Sequence, residues 1–172
     1  GTGHAVQQAL PKIPPGDVAL ILYGDVPLVQ PATLKKLVTK AAKGQVAVLT
    51  AEMANPTGYG RILRGERGAV IAIVEEKDAT PQQRQLSEIN TGLIACPAGT
   101  PVKWLARLKP NNAQKEYYLT DVIGLAVKDG VAVAAVAAES EDEVLGINDK
   151  AQLAAAEKIL RRRLAGELMA AG

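Results

Sequence analysis

Asp17-Val-Ala-Leu-Ile-Leu-Tyr-Gly24 is a short, continuous apolar run between Pro14-Pro15-Gly16 and Gly24. Unbroken hydrophobicity over so few residues predicts a strand covered on both faces, as in a parallel sheet flanked by helices. Leu34, Leu37, Val38 and Ala41 then recur at i, i+3, i+4 and i+7, with Pro31 near the start and Gly44 just past the end. That spacing predicts an amphipathic helix. Val46 to Thr50 predicts the next strand, so the first third of the chain reads as a βαβ unit with a right-handed crossover.

The alternation then changes. Gly60 to Arg64 and Ala69 to Val74 predict two strands around a polar turn at Gly65 to Gly68, and Glu88 to Ala95 predicts a third. Leu105 and Leu108 near Trp104, and then Tyr118 to Val127, predict two helices separated by the loop Pro110 to Lys115. Val131 to Ala138 predicts a strand. From Asp149 the sequence is strongly helical, with Leu153, Leu160, Leu164 and Leu168 keeping a rough heptad face. There is no internal repeat and no low-complexity linker, so the pattern describes one mixed-sheet α/β domain.

Composition narrows the function classes. At 172 residues and 48% apolar composition, the chain can bury a core without staples and is not intrinsically disordered. Phe is absent and aromatics total 3%, so the core must be aliphatic. One cysteine, Cys96, excludes an internal disulfide and favours a reducing compartment, which makes the cytoplasm the expected location. The longest purely apolar run, Val131 to Ala138, is eight residues, too short to span a membrane. A net charge of +2 and few aromatics give no platform for nucleic acid. Gly1 begins neither a signal peptide nor a dinucleotide fingerprint. A piece of a longer protein is expected.

Several segments carry chemistry-bearing residues. Asp25, released by Gly24 at the end of the first buried strand, stands where open α/β sheets bind ligands and is suited to a hard cation; Gly-Asp also satisfies a turn, which is the simpler reading of the two residues alone. Asn55-Pro-Thr-Gly-Tyr-Gly-Arg61 lets backbone approach a ligand closely, or forms a flexible hairpin connection. Glu75-Glu76-Lys77-Asp78 follows a strand, as solvated charge clusters do. Asn90 lies in an apolar strand, and a buried Asn must be hydrogen-bonded to backbone or ligand. Gly146-Ile-Asn-Asp149 opens the last helix, where Asn or Asp serves as N-cap. His4 is alone, which excludes a histidine-cluster metal site; Cys96 reads as inert core, and Arg161-Arg-Arg163 as a solvated helix face.

Taken in order, the segments form a pattern. Gly-Thr-Gly-His-Ala at 1–5, Tyr-Gly-Asp-Val-Pro-Leu at 23–28, Asn-Pro-Thr-Gly-Tyr-Gly-Arg at 55–61, Ile-Val-Glu-Glu-Lys-Asp-Ala at 73–79, Glu-Ile-Asn-Thr-Gly at 88–92, Asn-Asn-Ala-Gln at 111–114, Glu-Tyr-Tyr-Leu-Thr-Asp at 116–121 and Gly-Ile-Asn at 146–148 closely resemble the uridyltransferase domain of the bacterial bifunctional GlmU family. The resemblance covers essentially the whole chain. It implies a Rossmann-like nucleotidyltransferase fold, α/β with a mixed, mostly parallel sheet, that joins UTP and N-acetylglucosamine 1-phosphate into UDP-N-acetylglucosamine, a precursor of peptidoglycan and lipopolysaccharide, with release of pyrophosphate.

Carried over by position, the resemblance implies that Gly1 and Thr2 recognise uracil and that Tyr23, Gly24 and Asp25 line the nucleotide site. Asp25 and Asn148 would be the protein ligands of a catalytic Mg2+. Gly60, Glu75 and Asn90 would bind the sugar, with Tyr118 and Thr120 nearby. The residue types suit the chemistry, because a sugar phosphate is already ionised at neutral pH and needs charge neutralisation and in-line positioning rather than a general base. The family's first strand and its glycine-rich, lysine-bearing triphosphate loop do not occur in this sequence, nor does its left-handed β-helix, which carries acetyltransferase activity and forms the homotrimer. The expectation is therefore a partial nucleotidyltransferase domain over 1–148 and a linking helix over 149–172. On that reading the chain alone is inactive and lacks an N-terminal segment. The alternatives are a non-catalytic sugar-phosphate-binding fragment and a related transferase of other base or sugar specificity.

Overall fold

The computed structural model describes residues 1–9, 12–14 and 16–172; Pro15 of the Pro14-Pro15-Gly16 boundary lies outside the described residues. The strands are β1 (Val18–Ile21), β2 (Val46–Glu52), β3 (Gly60–Arg64), β4 (Val70–Val74), β5 (Glu88–Pro97) and β6 (Val133–Ala137). The helices are α1 (Thr2–Ala9), α2 (Pro31–Ala41), α3 (Pro81–Arg84), α4 (Val102–Leu105), α5 (Asp121–Lys128) and α6 (Lys150–Ala171). Every strand and long helix expected from the pattern is present. The helix expected over Tyr118 to Val127 begins only at Asp121, and α1 was not anticipated.

The ten-residue strand β5 organises the sheet. Along one side it pairs with β2, from Ala47 opposite Ala95 to Glu52 opposite Glu88. Its other side is shared by two strands set end to end: β1 covers Ile94 to Pro97, and β3 covers Ile89 and Asn90. β4 pairs outside β3, and β6 outside β2.

The expectation of a mostly parallel sheet is corrected by these pairings. Only β2 with β6 is parallel; the β1–β5, β2–β5, β3–β4 and β3–β5 pairs are antiparallel. Parallel neighbours need a crossover of a dozen or more residues, and the link between β3 and β4, residues 65–69, is too short for one, so that pair folds back on itself; β5, reached through a longer link that carries α3, runs antiparallel to each of its neighbours β1, β2 and β3. Because both are antiparallel to β5, β1 and β2, the two strands of the expected βαβ unit, run in the same direction but with β5 inserted between them.

β2 and β5 are buried on both faces, whereas the run Asp17 to Gly24, expected to be covered on both, is only partly so: in β1 Ala19 alone is buried, and Leu22 beyond it is 46% exposed, because β1 pairs only with β5 and lies at the edge of the sheet. Val46 and Val48 of β2 and Ile94 and Cys96 of β5 face one cluster, closed by Trp104, Leu105, Leu119, Val122, Ile123 and Ala126. Ala47, Leu49 and Ala51 of β2 and Ile89, Leu93 and Ala95 of β5 face the other, closed by Leu37 and Ala41 of α2 and by Val144. Helices thus cover both sides of one sheet. Burial pushes the Cys96 thiol up to about 12, leaving it protonated in the core.

Candidate active site

The site grows from the interruption on one side of β5. Between the end of β1, at Ile21 opposite Ile94, and the start of β3, at Gly60 opposite Asn90, no strand among the described residues pairs with Thr91, Gly92 and Leu93 on this side. Gly92 takes a φ of +84°, and the Tyr23 ring lies so close that a Cβ built there would come within 2.2 Å of it. Only glycine permits both that conformation and that approach. The motif Asn90-Thr91-Gly92 therefore makes a kink in an otherwise regular strand.

Neighbouring side chains hold the kink in place. The Thr91 hydroxyl donates to the Leu49 carbonyl at 2.9 Å, and the Gly92 N–H donates to the Asn90 Oδ1 at 3.1 Å. With its oxygen so used, the Asn90 side chain, 7% exposed, retains its amide NH2 as the group available to a ligand. Of the two alternatives that sequence left open, the backbone takes the acceptor oxygen, and the residue also lines a cleft.

That cleft, of about 410 Å3, is lined by Tyr23, Asp25, Gly60, Glu75, Asn90 and Asn148, together with Thr57–Tyr59, Gly92 and Gln152. Six of the residues singled out from sequence are thus brought together from five separate segments. Asp25 and Asn148 are 123 positions apart, and the Ile147 N–H joins them by donating to the Asp25 carbonyl at 2.8 Å. The capping alternative for Asn148 is also settled: Asp149 is the N-cap of α6, its carboxylate accepting from the Gln152 N–H at 2.7 Å. The Gln152 side chain accepts from the Asn148 N–H at 2.6 Å, so the Asn148 amide is not consumed by the cap.

Glu75 is half-buried, not part of a solvated loop. It accepts from the Thr120 hydroxyl at 2.8 Å, and its carboxylate lies 3.3 Å from where a Cβ on Gly60 would stand. Burial raises its pKa, opposed by the Thr120 hydrogen bond and assisted by the nearby Asp121 and Asp78 carboxylates. The rest of the charge cluster is also engaged. Glu76 forms an ion pair of 2.8 Å with Arg61, and Asp78 accepts from the Ala113 N–H at 2.9 Å.

Not all of the expected residues reach this cleft. Thr2, Tyr23, Gly24 and Asp25 line an adjoining groove of about 430 Å3, walled by Ile21, Leu22 and Leu119. Tyr23 and Asp25 belong to both spaces and stand as the partition between them. Gly1 lines neither; its amino group lies 3.8 Å from Glu116. Tyr118 is buried, donating to the Gln114 side chain at 2.9 Å, and Thr120 stands behind Glu75. Burial raises the Tyr23 pKa, as does the charge on Glu75, so the ring is neutral and can donate.

Two buried charges escaped the sequence reading. Arg61, 1% exposed, donates through Nε to the Leu86 carbonyl at 3.0 Å, through Nη2 to the Arg84 carbonyl at 3.2 Å, and through Nη1 to the Tyr59 carbonyl. It fastens the glycine-rich loop to the turn before β5. Glu143, also 1% exposed, accepts from the Gln30 N–H at 2.8 Å and the Glu139 N–H at 3.1 Å. Sequence gave no sign that these two charges, unlike their neighbours, would be enclosed.

Comparison with known proteins fits this geometry. The nucleotidyl transferase family profile matches residues 1–144. The chain belongs to that family. It is 55% identical to the bifunctional protein GlmU of Alkalilimnicola ehrlichii over 172 residues, which is 100% of this chain and 37% of the relative. It is 54% identical to the GlmU of Pseudomonas aeruginosa, covering 100% of this chain and 38% of the relative. The chain thus spans little more than a third of the length of these relatives, and the match corresponds to a GlmU uridyltransferase fragment. A UDP-glucose pyrophosphorylase crystallised with UDP-glucose shares the fold, with a TM-score of 0.70 at 17% identity over 94% of this chain and 62% of the other.

Proposed function

We propose that this chain is part of an N-acetylglucosamine-1-phosphate uridyltransferase, which joins UTP and N-acetylglucosamine 1-phosphate into UDP-N-acetylglucosamine and pyrophosphate. The observation that carries the reading is the convergence of Asp25 and Asn148 with Gly60, Glu75 and Asn90 in one cleft, tied by the Ile147–Asp25 hydrogen bond. In this reading residues 1–148 form the nucleotidyltransferase portion, and 149–172 are a helix linking it to the rest of a longer, trimeric cytoplasmic enzyme.

The donor set fits Mg2+. A carboxylate and an amide oxygen are hard ligands, and an ion that keeps most of its waters needs few from the protein. The cleft lining contains two carboxylates, Asp25 and Glu75, and no Lys or Arg. Phosphate groups entering it therefore need a counter-charge that these side chains do not supply. Bound there, Mg2+ would neutralise phosphate oxygens and the charge that builds on the leaving pyrophosphate.

The chain's own residues bind and orient. Glu75 accepts hydrogen bonds from sugar hydroxyls while the Thr120 hydroxyl fixes its rotamer. Asn90 donates its NH2 to a sugar or acetamido oxygen, and Gly60 leaves room for the sugar ring against the strand. Tyr23, wedged on Gly92, separates the sugar space from the groove in which Thr2 and Gly24 meet the nucleotide; Gly1 contributes there only if it moves from its place beside Glu116.

In the longer protein, Asp25→Asn should abolish uridyl transfer while leaving acetyl transfer nearly intact, as measured by separate assays of the two reactions. Chelation of divalent cations should stop the same reaction and Mg2+ should restore it. Equal loss of both activities in Asp25→Asn would refute the assignment by revealing a folding defect. Competition among UTP, dTTP and CTP tests the base, and preference for another nucleotide would assign the site to a related transferase.

A further inference from the structure

The connection between β1 and α2, residues 22–30, carries Asp25 and has no regular secondary structure of its own. Its internal support is slight, a 3.4 Å hydrogen bond from the Val26 N–H to the Tyr23 carbonyl. The firmer contacts come from the far end of the chain. Ile147 N–H donates to the Asp25 carbonyl at 2.8 Å, Gln30 N–H donates to Glu143 at 2.8 Å, and Arg163 Nη1 donates to the Leu28 carbonyl at 3.0 Å. With the Gln30 amide turned so that its oxygen meets the guanidinium, it accepts from Arg163 Nη1 at 3.0 Å and Nε at 3.2 Å.

Arg163 differs from its neighbours. Arg161 pairs within its own helix, with Glu157 at 2.6 Å, as a solvated helix face would. Arg163 leaves its helix and binds a carbonyl 135 positions away, beside a Leu28 side chain that is only 3% exposed. A part-buried carbonyl without that donor would lose its hydrogen bond with only partial access to water in exchange. The expectation that all three arginines are solvated is corrected for Arg163.

The three attachments act on one segment. Ile147 and Glu143 hold the connection at Asp25 and Gln30, and Arg163 holds it between them at Leu28, three residues from Asp25, as the only one of the three tethers that comes from within α6. Ile147 lies two residues before the N-cap of α6, and Arg163 projects from the helix about 20 Å beyond its first residue, so the connection is held both where the chain approaches α6 and well along it. We propose that Arg163 is a positioning residue, which clamps the Leu28–Gln30 end of the connection to α6 so that Asp25 is presented to Asn148 across the cleft. The proposal rests on the reading of Asp25 and Asn148 as the metal-binding pair, and its consequence is that α6 sets the geometry of that pair.

The test reads the clamp without activity. Amide hydrogen exchange at Ile147 reports how firmly the Asp25 carbonyl is held, and Mn2+ alone, as a paramagnetic probe, reports metal approach through broadening of the Gly146–Asn148 resonances. Arg163→Ala should speed Ile147 exchange about tenfold, the loss expected for one charge-assisted hydrogen bond, and should raise the Mn2+ concentration for half-broadening several-fold. Arg163→Lys, which can reach Leu28 but cannot fork onto Gln30, should restore part of both effects. Unchanged Ile147 exchange in Arg163→Ala would overturn the clamp, and faster exchange with an unchanged Mn2+ midpoint would overturn its positioning role. Asp25→Asn serves as the control for the underlying reading: if it broadens like the parent protein, the metal assignment fails, while Ile147 exchange still decides whether Arg163 holds the connection.

Discussion

Glu75 shows how one side chain serves two opposed demands. A carboxylate half withdrawn from water is costly in its charged form, and the Thr120 hydroxyl offsets only part of that cost, so its pKa is raised. A group whose folded pKa is raised binds protons more readily when folded, so folding is favoured at low pH and loses stability as pH rises through the unfolded and then the folded pKa. Glu75→Gln should therefore raise the melting temperature at neutral pH. The gain should vanish below the ordinary glutamate value of 4.5, where the parent residue is neutral in both states. Thermal melts of the two proteins across pH check this; a gain that persists under acid would assign the effect to packing. Glu75→Ala should weaken use of the sugar phosphate more than use of UTP, because a hydrogen bond to a charged partner is worth roughly 1.5–3 kcal/mol. Separate KM and kcat measurements for the two substrates would show it, and unchanged sugar-phosphate kinetics would return Glu75 to a structural role.

At the scale of elements, the kink in β5 is what turns a buried strand into the floor of a cleft. Gly92 and Gly58 both take positive φ, +84° and +89°, but a Cβ on Gly92 meets Tyr23 whereas one on Gly58 meets nothing within 4 Å. Gly58→Ala should therefore cost only the backbone strain, about 1–3 kcal/mol. Gly92→Ala should cost that and more, because the Tyr23 ring must also leave its place. Denaturant titration of the pair isolates the ring's contribution; equal losses would mean that Tyr23 yields freely and does not partition the two spaces. α6 shows the same division of labour between backbone and side chain. Its N-cap is Asp149, one residue after Asn148, which lines the cleft, and that single step leaves the Asn148 side chain free of the cap.

Across the whole molecule, two aliphatic clusters lie on opposite faces of one sheet and draw alternate residues from the same strands. Neither face can melt without exposing the other, so unfolding should be cooperative. Trp104, the single tryptophan, is fully buried against α5 and donates to Asp129 at 2.8 Å, which makes it a probe of one face. Leu37→Ala, on the opposite face, should remove about 2–5 kcal/mol and shift the Trp104 fluorescence transition together with the circular dichroism transition. Transitions that separate would show two independently melting layers.

The apolar runs and helical spacings were legible in the sequence because each follows from local periodicity: β1, β2, β5, α2 and α6 stand close to where the pattern put them, but the burial on both faces expected for the run at 17–24 is found instead in β2 and β5, because position within the sheet and not apolarity decides which strand is covered. The ordered motifs carried the family resemblance and the cleft residues Tyr23, Asp25, Gly60, Glu75, Asn90 and Asn148. Strand direction was not legible, since hydrophobicity in a strand is the same read either way; only the β3–β4 turn is short enough to impose an antiparallel pair, and the direction of β5 against β1, β2 and β3 is set by how the elements pack. Nor was the fate of individual charges: Arg61, Glu143 and Arg163 look like their solvated neighbours until folding brings them carbonyls and amides from distant segments. Those partners are fixed by tertiary packing, because desolvation is tolerated only where enough hydrogen-bonding groups converge, and sequence neighbours alone do not determine that convergence.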